Sequence, residues 1–382
     1  MKYDFLIQNG HVVDPARGID GPADVYIRNS RIVPPPEGAD AEAEEVIDAS
    51  GYWVFPGLVE FHTHLAYRSS DVGLNPDLYM LPNGVTSAVD AGSGGPCNYE
   101  AFIHETCAQS SLTIKSFLNV ASTGIITEQY FENLDPQFYD VKRMEYLFER
   151  YPQEILGFKV RIGKRFSKEL DLIPLDAAEE LGETFHCPVC LHAVHPESDY
   201  DAILSRLRPG DILCHCFQNQ GPYNILTPQG RPLPSAVAAR ERGVIFDGAS
   251  GRKNHDLTVI RAALDSGFPP DVISTDVVTH SVYRTSVFAL PYVMSEYLNL
   301  GMPLGEIIRA VTQTPARLMG LEGQIGTLAP GALADVAIFR MREKPLVFRD
   351  QMGNAMEGSR LLVPQMTLKA GRIAYRDMEF TF

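Results

Sequence analysis

The nine residues Pro56–His64, reading Pro-Gly-Leu-Val-Glu-Phe-His-Thr-His, constrain this chain more than any other stretch. Pro56-Gly57 marks a turn, and the apolar run behind it has the length of a buried strand. Side chains two apart on a strand share a face, so His62 and His64 project together from the strand's end. Two adjacent imidazoles after a tight turn are a natural pair of metal ligands. Alone the pair is a weak signal. It gains force if further ligands stand at the ends of other strands.

They do. Buried-strand candidates recur at Leu58–Phe61, Val85–Asp90, Ile114–Val120, Ile155–Val160, Val189–His192, Asp211–His215, Gly243–Phe246 and Asp271–Ser274. Helix-like patterns separate them, among them Pro174–Phe185, Ala236–Arg242 and Leu257–Asp265. Strands alternating with helices predict an α/β fold with a parallel sheet. Eight such units over about 250 residues match a (β/α)8 TIM barrel, whose active site lies at the C-terminal ends of its strands. An open doubly wound sheet would carry a glycine-rich phosphate loop after an early strand, and Gly92-Ser93-Gly94-Gly95 fits that pattern poorly. Helices over Arg284–Leu300 and Leu304–Leu318 are expected to follow the eighth strand.

Both ends of the chain read differently, as short strands broken by turns, with a hairpin signal at Asn9-Gly10 and a bend at Pro34–Pro36. Neither end has strands enough for a stable sheet alone. The expectation is one small β-sandwich built from residues 1–55 plus 323–382, around a barrel over residues 56–322.

The later strands supply the chemistry. The fourth carries Lys159, the fifth ends at His192, the sixth at His215 and the eighth at Asp276, and with His62 and His64 these converge on one rim. An ammonium repels metal, but burial in an apolar strand depresses a lysine's pKa towards the neutral amine. Such an amine can add carbon dioxide, and the carbamate's two oxygens can bridge two cations. Arg161 lies two positions past Lys159 and shares its face; Arg252 sits on the turn after the seventh strand. Each suits a forked contact with a substrate carboxylate, with a structural salt bridge as the alternative. His195, His255 and His280 read as structural or second-sphere histidines. Cys187, Cys190, Cys214 and Cys216 read as small buried hydrophobes, and Cys214 and Cys216, flanking His215, are expected to point away from the barrel interior.

The Pro-Gly-x-x-Glu-x-His-x-His opening, the strand lysine, the two single strand-end histidines and the late Ser274-Thr275-Asp276 resemble the amidohydrolase superfamily in its two-metal, carboxylated-lysine form. The resemblance runs nearly the whole chain, including Gly326–Asp335. Val89–Ser93, Gly210-Asp211 with His215-Cys216-Phe217, and Ile273–Asp276 resemble its metal-dependent deacetylase branch. That resemblance implies that His62, His64 and Asp276 hold one divalent cation, that His192 and His215 hold a second, and that carboxylated Lys159 bridges them, with zinc the commonest choice of metal. It further implies a shared hydroxide as nucleophile, Asp276 as general base and then acid, and removal of an acyl group, such as acetyl, from an ester or amide of a small 2-hydroxy or 2-amino carboxylic acid. Two departures bear on substrate. Ser250 stands where the branch has a histidine, and Ala66 stands where dihydroorotases have an arginine. A dihydroorotase-like cyclic amidase is the alternative, and a metal-free scaffolding homologue is the alternative of a different class.

A net charge of −15 argues against nucleic acid or an anionic membrane as partner. Six cysteines in 382 residues are no disulfide framework. The start lacks the features of a secretory signal, and no apolar run approaches the roughly 20 residues of a membrane span. A cytoplasmic homo-oligomer acting on a small carboxylic acid is expected.

Overall fold

The computed structural model describes residues 2–36, 42–284 and 286–380. Strands β1 (Tyr3–Asp14), β2 (Ile19–Arg28), β3 (Arg31–Val33), β4 (Ala43–Asp48) and β5 (Trp53–Pro56) come first. Asn9-Gly10 makes no hairpin. It forms an irregularity inside β1, with Asn9 at φ 63° and the register to β2 shifting between Ile7 and Gly10. The reason is packing: a Cβ on Gly10 would stand 2.5 Å from Val54 Cγ2. The chain turns instead at the four residues before Ile19.

Seven strands follow, each fully or largely buried: β6 (Leu58–Thr63), β7 (Val85–Asp90), β8 (Thr113–Asn119), β9 (Ile155–Ile162), β10 (Val189–Ala193), β11 (Ile212–Cys214) and β12 (Ile245–Phe246). They pair in parallel in chain order, forming one curled sheet. Helices lie between them, including Val141–Arg150, Ile173–Thr184 and Pro234–Arg242, and a further helix, Leu257–Asp265, follows β12. The last begins where Asp256 caps the amides of Thr258 and Val259.

The expected eighth strand, Asp271–Ser274, is not regular strand. Residues 271–277 nevertheless bond to both edges of the sheet: Gly248 donates to the Val272 carbonyl and Ser250 to that of Ser274, while Asp276 donates to the carbonyl of His62 and His64 to that of Val277. Glu60 staples the same seam, accepting from the Thr275 amide at 2.9 Å and its hydroxyl at 2.7 Å.

The two later helices are shorter than expected. The first spans Leu290–Asn299, because Tyr283, Ser286 and Phe288 have positive φ and a helix cannot pass through them (Thr285 lies outside the described residues). The second divides into Leu304–Val311 and Gln313–Leu318. Pro315 has no amide to donate to Val311, and the Thr312 hydroxyl bonds back to the Ile308 carbonyl.

The chain closes with β13 (Val336–Arg349), β14 (Ala355–Lys369) and β15 (Arg372–Arg376). β13 pairs with β5, so both termini join one eight-stranded mixed sheet with its own apolar cluster, including Ile7, Val54, Ile338 and Leu368. No helix among the described residues is long and apolar enough to cross a membrane.

Candidate metal centre

At the C-terminal ends of the parallel strands, His62, His64, Lys159, His192, His215 and Asp276 come together from five separate segments. His62 and His215 rings lie 5.1 Å apart, and His192 and His215 rings 4.4 Å. His64 Nε2 stands 3.3 Å from Asp276 Oδ1 and His62 Nε2 3.7 Å from the same oxygen; His215 Nε2 is 3.9 Å from Oδ2. Asp276 reaches this position with φ 50°, a left-handed conformation, and its carboxylate faces the three imidazoles.

Each of three imidazoles has its other nitrogen occupied. His62 Nδ1 meets Asp247 Oδ2 at 3.2 Å, and His215 Nδ1 meets the Ala249 carbonyl at 2.6 Å. His64 Nδ1 lies 2.9 Å from Ser93 Oγ, whose own proton goes to Asp90 Oδ2. These partners accept, so Nδ1 carries the proton and Nε2 presents a lone pair inward. Among the described residues Nε2 of His192 and of His215 is buried with no hydrogen-bond partner, the kind of orphaned ligand set a cation satisfies. The ligand atoms of His62, His215 and Asp276 lie within 4.8 Å of one another.

Electrostatics agree. Burial lowers the pKa of His62 and His192 well below the ordinary imidazole value and that of His215 to about 3, with neighbouring cations adding to the effect. All three are neutral at pH 7, the form that coordinates metal. Burial pushes Asp276 up, but its contacts with His64, His215 and His62 outweigh burial and hold its carboxyl below the usual carboxylate range. Burial raises Asp247 to about 6 and Glu60 to about 8.

Lys159 departs from expectation. It is buried on the same interior face, yet its Nζ points at Cys190 Sγ (3.6 Å) and Cys214 Sγ (3.7 Å). Burial opposes its charge, but the two sulfurs and Asp276 outweigh burial and hold its pKa above the usual lysine value. Cys214 therefore points inward, 3.2 Å from Cys190 Sγ, not away from the interior. The cause is His215, whose φ of 56° breaks the strand's alternation so that consecutive side chains both face the interior. Cys190 and Cys214 with His62 form a second group whose ligand atoms lie within 4.8 Å of one another.

Asp90, Ser93, Asp247 and Asn254 escaped the sequence reading. Gly92 belongs to the turn that presents Ser93, and a Cβ there would lie 2.5 Å from Lys159 Cβ. Asn254 donates to Asp276 Oδ2 at 3.3 Å.

Above the floor opens a cavity of about 450 Å³ that also takes in Arg161, His195, Arg252, Lys253 and Asn254. Arg161 donates through Nε and one Nη to Glu132 and stacks 4.1 Å over Phe166. Arg252 meets Glu128 at 3.3 Å. Ser250 is buried and does not line the cavity; its carbonyl accepts from His255, which is itself buried against Glu296. His280 is exposed outside the cavity. A larger cavity, about 530 Å³, lies beside Tyr200 and Val259 and contains none of these groups, so the chemistry assigns function to the smaller one.

Over 95% of its length the chain is 30% identical to a deacetylase of Brucella anthropi, of which the match covers 85%. It belongs to the amidohydrolase family. The family's model matches residues 273–375, which contain Asp276. Two solved amidohydrolase-like structures superimpose nearly end to end: an adenine deaminase at 25% identity and TM-score 0.87, covering 98% of this chain and 100% of that one, and a dihydroorotase at 26% and 0.85, covering 97% and 98%. As an amidohydrolase the chain is a hydrolase, and its strand-end histidines are the feature that its fold delivers to one place.

Proposed function

We propose that this amidohydrolase is a two-metal deacylase that removes an acetyl or similar acyl group from an ester or amide of a small 2-hydroxy or 2-amino carboxylic acid. One observation carries the reading: Nε2 lone pairs of His62, His64 and His215 converge on the Asp276 carboxylate, each fixed by a partner on Nδ1. The hydrogen bonds of residues 271–277 to both sheet edges support a closed (β/α)8 barrel over residues 56–322, and the shared apolar cluster of the terminal strands supports a small sandwich from residues 1–55 and 323–382.

His62, His64 and Asp276 would hold one cation, His192 and His215 the other, with zinc the base-rate choice. When bound, such a pair acidifies a water molecule and polarises the scissile carbonyl. Carboxylation of Lys159 would replace an ammonium, which disfavours charge on His62 and His192, with an anion able to serve as a metal ligand. Asp276 takes the proton from the attacking water and delivers it to the leaving oxygen or nitrogen as the acyl bond breaks. Asn254 holds Asp276 Oδ2 in line for that transfer. Arg161 keeps one Nη free of Glu132, and the Arg252 guanidinium meets only Glu128 among the described residues, so both can orient the substrate carboxylate.

The deacetylase name of the Brucella anthropi relative supports this reading. A cyclic amidase is favoured by the likeness to a dihydroorotase structure, but buried Ala66 offers no cation beyond the histidine pair. Purified protein, reconstituted with zinc, should hydrolyse members of a panel of acetylated 2-hydroxy and 2-amino acids and lose that activity on stringent chelation. Turnover of dihydroorotate with none on the acyl panel would transfer the assignment to the second reading.

A further inference from the structure

On a chain of net charge −15, the cavity above the metal centre is lined by six lysines and arginines but only two carboxylates, Glu128 and Asp276. Two of the cations are already assigned to the first carboxylate. Arg161 also meets Glu132 and Arg252 also meets Glu128. Lys159 belongs to the floor. Lys164, Arg165 and Lys253 remain, all exposed, and among the described residues none has a carboxylate partner; Arg165 rests on the Phe131 ring at 4.6 Å.

Their positions are built. Lys164 follows Gly163, whose φ of 132° brings it so close to the neighbouring loop that a Cβ would lie 2.1 Å from the Val194 carbonyl, and the Lys164 amide donates to the carbonyl of His195. Lys253 is held through its own carbonyl, which accepts from Gln220 at 3.0 Å. The two lysines thus approach the mouth from the ends of β9 and β12, three strands apart in the sheet.

Resting on the deacylase reading, we propose that the acid half of the substrate carries a second anionic group, a carboxylate or a phosphate, seated between Lys164, Arg165 and Lys253 at the cavity mouth. A neutral or singly charged acid would leave these three cations without a carboxylate partner among the described residues. A dianion satisfies them, and fixed like charges around a cleft concentrate the opposite charge there. In so exposed a rim each lysine contributes about tenfold in affinity, and salt reduces it.

Equilibrium binding to zinc-reconstituted protein tests this without turnover, using three 2-hydroxy acids: lactate, malate and 3-phosphoglycerate. At low salt malate or 3-phosphoglycerate should bind at least about tenfold more tightly than lactate, and whichever is tighter identifies the second group as carboxylate or phosphate. The double variant Lys164→Met/Lys253→Met should bring the ratio close to one, whereas Lys142→Met on an outer helix should leave it in place. Equal affinity for all three acids in the wild type, or a preference that survives the double variant, overturns the subsite. Protein that prefers dianions yet hydrolyses no acyl ester or amide would sink the deacylase reading alone.

Discussion

On the floor of the cavity three of the four imidazoles are held by one fixed partner on Nδ1, Asp247, Ser93 or the Ala249 carbonyl, and water is excluded from nearly all of them. On the rim, Lys164, Arg165, Arg252 and Lys253 stand exposed on loops, and among the described residues only Arg252 of these has a carboxylate partner, Glu128. The floor is preorganised for one chemistry, since a buried donor set with pinned tautomers has few other uses. On the proposed function, the rim is a field of charge over the reaction centre that would sort substrates. Substitutions in the two layers should therefore differ in kind. Floor changes act on metal content and kcat, rim changes on KM and salt dependence.

The largest effect is expected at Asp276. Asp276→Asn keeps the shape and removes the proton acceptor, and kcat should fall by about 10³–10⁴-fold with KM little changed; a loss confined to KM would remove Asp276 from proton transfer. Next comes the support beneath the ligands. Ser93→Ala frees His64 Nδ1 and should weaken metal affinity by about 10–100-fold, read by competition with a chelator. Unchanged affinity would show that the Asp90–Ser93–His64 chain does not fix the ligand. On the rim, Arg252→Met should raise KM for carboxylate substrates by about tenfold at constant kcat, and much less for their methyl esters. Equal losses for acids and esters would dissolve the distinction between floor and rim.

The smallest effect is on the pH dependence of the metal-free protein. His62, His192 and His215 have folded pKa values below the ordinary 6.5, so the stability they contribute is full above pH 6.5 and is lost as pH falls towards their folded values. Glu60 and Asp247, raised to about 8 and about 6, act oppositely: their contribution is lost as pH rises. His255 is lowered as well, while Glu179 and Glu296 are raised, so the imidazole share is read by difference. Between pH 6 and 5 the metal-free wild type should lose about 1 kcal/mol more stability than His192→Gln. Equal losses would mean that His192 is charged in the native state.

The difference between the layers also explains what was legible in the chain. His62 and His64 announce themselves because strand period and residue type coincide within three positions, and each later ligand repeats the signal at a strand end. Their supports give no such signal. Asp247 lies 185 positions from His62, and Glu60 lies 215 from Thr275, so only the closed seam brings them together. Cys214 faces inward against strand alternation because the left-handed backbone of His215 interrupts it, and no local pattern marks that backbone. The rim was hardest to read, since a loop lysine carries the same letter whether it faces solvent or substrate.

Counting metal in the purified, carbonate-reconstituted protein tests the central claim most directly. The account predicts about two equivalents per chain for the wild type and one or fewer for Lys159→Ala. A wild type that takes up none, or a Lys159→Ala variant that keeps both, would contradict it.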